Sequence, residues 1–216
     1  LIAARDSASF AIKYGFGAGV SETPVRRMRM PGTIVKSKIV DEKSPLLYGY
    51  SDNLSIFAAS GPIFGVSNFA GGRGGRSRPQ RVRMTGRGGI NDPDTVQNRR
   101  PDEIPDPPAR VKRWEAQPVR KSQLRNGISI IPPEMRPRVV LRYSDNKDLL
   151  VSGLLDNGGE IAQAPAIIDV PHGKGHVVLF SNNPFWRAET HGSYFLVFNA
   201  ILNYDNLNAG RTLAKR

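Results

Sequence analysis

The stretch APAIIDVPHGKGHVVLFSNNPFWRAETHGSYFLVFNAILNY, residues 164–204, decides the fold class, because it reads without interruption as strand, tight turn, strand, loop and helix. Ile167, Ile168 and Val170 lead into Gly173-Lys174-Gly175, and Val177, Val178, Leu179 and Phe180 lead out of it, the punctuation of a β-hairpin. After a polar loop, Tyr194, Phe195, Val197, Phe198, Ile201 and Leu202 recur at helical spacing and predict a C-terminal helix with a broad apolar stripe.

Weaker signals surround this block. Asp6 stands where it could cap a short helix over residues 7–14, with Phe10, Ala11 and Tyr14 toward a core and Gly15 or Gly17 as the stop. Residues 33–40 alternate around Lys36 and Lys38, as a strand with one wet face does, and residues 55–59 and 63–67 predict two further short strands. Arg138-Val139-Val140-Leu141-Arg142-Tyr143 predicts another strand, and residues 149–155 a short apolar turn or half-helix. Strands mixed with helices place the chain in the α/β class.

Composition divides the chain. The net charge is +12 over 216 residues, but residues 71–138 hold sixteen Lys/Arg against seven Asp/Glu, a surplus of nine, so the flanks are nearly neutral. That segment contains GGRGGRSRPQRVRMTGRGG and PDEIPDPP and has almost no apolar periodicity. Such a composition cannot bury enough surface to offset its ordering entropy. The expected organisation is therefore one α/β domain in two parts, 1–67 and 138–210, around a long disordered or irregular basic insertion, 68–137. No apolar run approaches the roughly 20 residues that span a bilayer. Leu1 follows no charged or signal-like segment and reads as an internal start within a longer protein.

The succession PGTIVKSKIVDEKSPLLYGY, RVVLRYSDNKDLLVSGLL and IIDVPHGKGHVVLFSNNPFWRAETHGSYFLVFNAIL resembles the C-terminal region of bacterial secreted zinc-carboxypeptidase-like proteins. In that family a metallocarboxypeptidase domain precedes a domain similar to class I glutamine amidotransferases. The resemblance implies a flavodoxin-like three-layer sandwich whose first strands lie upstream of Leu1, export from a bacterial cell, and an upstream peptidase domain as partner. Zinc is then expected only in that upstream domain.

The residues present depart from both catalytic patterns. Zinc carboxypeptidases need a His-x-x-Glu pair and a third His, and none of His172, His176 and His191 has a carboxylate three residues on. A class I amidotransferase needs a nucleophilic cysteine on a strand-to-helix elbow, and the chain has no cysteine, which also excludes disulfides and thiolate metal sites. The expectation is a domain with no catalytic residues, no metal and no cofactor of its own. His172 and His176 flank the hairpin turn and read as solvent-exposed turn residues, a two-strand metal site being the alternative. The richest constellation is Trp186, Arg187, Glu189, His191 and Tyr194. These groups crowd into a loop entering a helix, a place where open α/β sheets hold ligands. The alternative is structural: an Arg187–Glu189 pair, Thr190 as a cap, and aromatics closing the core. A different function class comes from Arg73, Arg76, Arg78, Arg81, Arg83 and Arg87, whose Gly/Arg setting resembles RNA-binding repeats and offers phosphate and polyanion contacts. Aromatic residues are absent between them, and an acidic run follows.

Overall fold

The computed structural model describes residues 1–51, 53–70 and 129–211. The chain divides into two compact units, Leu1–Gly71 with Lys112–Arg216, and Gly72–Val111. Every described residue belongs to the first unit; the six Gly/Arg-segment arginines lie outside the described residues.

A mixed sheet organises this unit. Its strands are β1 (Ile2–Ala4), β3 (Thr33–Ile39), β4 (Leu54–Ala58), β8 (Arg138–Tyr143), β9 (Leu150–Gly153), β10 (Pro165–His172) and β11 (Gly175–Phe180), ordered β1-β11-β10-β8-β3-β4 with β9 also on β3. Only β1 and β11 pair in parallel; the other ladders of this sheet are antiparallel. The predicted hairpin is present: His172 faces Gly175 across a two-residue turn, where Gly173 takes φ +59°, a conformation glycine adopts without a Cβ penalty.

Period-two alternation along β11 sends Val178 and Phe180 into one buried cluster and Val177 and Leu179 into another, so the sheet is covered on both faces. Against the first face pack Leu46, Leu47 and helix α2 (Tyr194–Leu202) through Leu196, Val197 and Ala200. Against the second pack helix α1 (Asp6–Lys13) through Ala8 and Ala11, and the ribbon of β2 (Val20–Thr23) with β5 (Ile63–Val66) through Val20, Phe64 and Val66. A short ribbon of β6 (Phe69–Ala70) with β7 (Ser129–Ile130) completes the described structure.

Several sequence expectations change. Helix α1 has Arg5, not Asp6, at its N-cap; Ala11 faces the core as expected, together with Ala8, but Phe10 and Tyr14 meet each other in solvent at 4.3 Å, tilted by 34°. Residues 150–153 form an exposed strand and not a half-helix, because Leu149 O accepts from Lys36 N (2.8 Å) and so continues the edge that β8 began. Between them, residues 145–148 bulge outward, Ser144 N still donating to Lys36 O (3.0 Å). The largest change concerns α2. Of its predicted stripe only Val197 is fully buried, while Phe195, Phe198, Ile201 and Leu202 face solvent.

Candidate functional site

The ladders fix strand direction so that β1, β4, β8 and β11 all end at the same edge of the sheet. The carboxyl ends of these four strands gather there, the position that holds ligand loops in mostly parallel α/β sheets. Both the segment after β11 and the β1–α1 junction lie there.

The segment after β11 is anchored by small polar groups. Ser181 N donates to Ala166 O (2.9 Å), and Ser181 Oγ sits 2.7 Å from the buried Tyr143 hydroxyl, whose pKa desolvation pushes up to about 12. Asn182 Nδ2 donates to Phe57 O (3.2 Å) and Thr190 Oγ1 accepts from Phe57 N (3.3 Å), so the loop satisfies the outer backbone edge of β4. Ser193, fully buried, holds its hydroxyl 2.6 Å from Pro184 O and 2.9 Å from Thr190 O. Tyr50 donates its hydroxyl to Gly192 O, and burial pushes its pKa to about 12 as well.

The predicted site residues occupy the rim of this loop. Trp186 stacks on Phe57 at 5.4 Å with planes 5° apart, and the Arg187 guanidinium lies 5.1 Å from the Trp186 ring centre. Glu189 is exposed, and no Arg187–Glu189 ion pair occurs among the described residues. His191 is exposed and meets Tyr194 edge-on at 5.5 Å; Tyr194 in turn meets Phe185 at 4.8 Å. Arg187, Ala188 and Thr190 all take positive φ, which turns the chain sharply within five residues. Charged groups therefore point outward while hydroxyls and amides point inward. Trp186 comes together with β4 through Phe57 and His191 with Tyr194, while no ion pair joins Arg187, Glu189 or His191 among the described residues.

The β1–α1 junction has no linker at all. Ala4 ends the strand, Asp6 begins the helix, and Arg5 alone makes the turn with φ 51° and ψ −117°, a conformation suited to glycine. Its backbone is held tightly: Arg5 N donates to Phe180 O (2.9 Å), Arg5 O accepts from Ala8 N (2.9 Å), and Ser7 Oγ bonds both Ala4 N (3.0 Å) and Ala4 O (2.7 Å). Its guanidinium reaches the β4–β5 connection, Nη2 donating to Ser60 O (3.0 Å). The backbone of this turn is like that of a nucleophile elbow, a strained strand-to-helix turn, here at the end of the edge strand of the sheet. A guanidinium is a hydrogen-bond donor and supplies no nucleophile for a carbonyl. Sequence reading missed the elbow because no glycine marks it; the only signal is a strand running into a helix with nothing between.

At the opposite end of the sheet the two hairpin histidines part. Alternation places them on opposite faces: His172 packs on Phe16 at 5.1 Å, and His176 Nδ1 lies 2.7 Å from Asp169 Oδ1. His176 is thus not an exposed turn residue, since its side chain is buried against a buried carboxylate. Among the described residues, no group of three or more His, Cys, Asp or Glu side chains could hold a metal ion, and no helix is long and apolar enough to cross a membrane. In comparison with protein-family models, curated proteins and solved structures, no match to this chain was found.

Proposed function

We propose that the chain is a non-catalytic accessory domain, similar to class I glutamine amidotransferases, that supports or positions the peptidase domain of a zinc carboxypeptidase-like protein. The observation that carries this reading is Arg5. In this reading the strained turn after β1, beside the parallel β1–β11 pair, takes the place of an amidotransferase nucleophile and carries a side chain with no nucleophilic chemistry. The flavodoxin-like assignment is part of the same proposal. It is supported by the parallel β1–β11 pair leading into α1 and by helices on both faces of the sheet. The turn that would have held catalytic chemistry instead ties α1 to the β4–β5 connection through Ser60, a purely mechanical use.

The reading is tested in two assays. The purified chain should hydrolyse neither glutamine nor a C-terminal peptide bond above a blank, and turnover of either would refute it. A zinc carboxypeptidase-like peptidase domain expressed with and without this chain should melt at a higher temperature when joined to it. Equal melting temperature, yield and peptidase activity in the two forms would remove the accessory role.

A further inference from the structure

We propose that the outer face of α2 binds a second copy of this chain, helix against helix about a twofold axis. The apolar stripe of YFLVFNAILNY has two sides, and the fold uses only one of them. Leu196, Val197 and Ala200 pack into the core. Phe195, Phe198, Ile201 and Leu202, with the neighbouring Phe185 and Tyr204, are each 44% to 75% exposed. The rings form one surface: Phe195 meets Phe198 at 6.1 Å, Phe198 meets Phe185 at 6.0 Å, and Phe185 meets Tyr194 at 4.8 Å.

Area and charge both select the occupant. At the roughly 200 Å² that a large side chain presents, these exposures sum to on the order of 700 Å² along this face, near the ~800 Å² each partner gives a standard interface. Residues 194–204 contain no charged side chain, so a twofold interface that sets this patch against its own copy brings no like charges together within α2. Antiparallel pairing of the two α2 helices also opposes their dipoles favourably. A second exposed aromatic pair, Phe10 on α1 and Tyr14 at its C-cap, is smaller and carries Lys13 between its members.

The full chain tests this directly. Sedimentation velocity should give a species of twice the 23.7 kDa chain mass at about 10 μM, a concentration that populates a dimer of micromolar or tighter Kd. Phe198→Glu should weaken self-association by 100-fold or more without lowering the melting temperature, and Leu202→Gln provides the same reading should the first variant fail to fold. Because the chain has no cysteine, Ile201→Cys under mild oxidation should give a disulfide-linked dimer, while Phe10→Cys should not. A monomer at every concentration up to about 100 μM, a dimer untouched by both α2 substitutions, or equal cross-linking at position 10 would each overturn the proposal.

Discussion

Arg211, in the segment after the last helix, donates through Nη2 to Asp169 Oδ2 at 2.7 Å, while the other oxygen of the same buried carboxylate holds His176 Nδ1 at 2.7 Å. Asp169 pairs in register with Arg138 on β8, and Arg138 binds Asp41 (2.7 Å) and the carbonyls of Leu207 (3.3 Å) and Ala209 (2.7 Å). Two arginines thus pin the C-terminal segment to the amino end of β8 and β11. A buried carboxylate between a guanidinium and an imidazole is tolerable only because each partner compensates the desolvation of the others.

Removing that carboxylate leaves Arg211 uncompensated. Asp169→Ala should cost about 3–5 kcal/mol in denaturant unfolding, whereas Asp145→Ala should cost less than about 1 kcal/mol, because its pairing with Lys38 is in part solvent-exposed. Equal losses from the two substitutions would mean that burial of the Asp169 network contributes nothing special.

The elbow gives a backbone prediction. Arg5→Ala and Arg5→Gly both lose the contact to Ser60, but only glycine relieves φ 51°. The glycine variant should therefore be the more stable of the two by about 1 kcal/mol, measured as the difference in their urea midpoints at constant slope. An alanine variant as stable as the glycine one would show that the turn is not strained.

Alkaline pH should expose Tyr143. Its folded pKa of about 12 exceeds the ordinary value of 10.0, so the unfolded chain loses the phenolic proton first. The stabilisation is complete below pH 10 and declines as pH rises toward 12, by up to about 3 kcal/mol for this fully buried group. Tyr143→Phe should flatten that part of the stability profile; an unchanged profile would place the alkaline transition elsewhere. Tyr50, half-buried, should add a smaller decline of the same sign.

The loop after β11 separates recognition from packing. Arg187→Ala and His191→Ala, both on exposed side chains, should shift stability by no more than about 0.5 kcal/mol. Thr190→Ala and Ser193→Ala should each cost about 1–2 kcal/mol, because they leave the Phe57 amide or the loop carbonyls without a partner. Thermal denaturation of the four variants checks the ranking, and the reverse order would make the charged rim the structural element.

Local chemistry was legible in the sequence wherever a residue's own type dictated its conformation. The hairpin at Gly173-Lys174, strand β8, the alternation of β3 around Lys36 and Lys38, and the existence of α2 all follow from turn preference and apolar period. What the sequence could not settle was which side of a periodic segment meets the core. In α2 both sides are apolar, so only the position of the sheet leaves Phe198 in solvent and Val197 inside. Nor do Arg5, Asp169 and Arg211 announce themselves, because an elbow and a buried ion network are properties of approach between distant segments: Arg5 against Ser60, Asp169 against Arg211. Periodicity fixes secondary structure through contacts a few residues long. The burial of a charge or the strain of one turn is set by partners tens of residues away, and only tertiary packing brings them together.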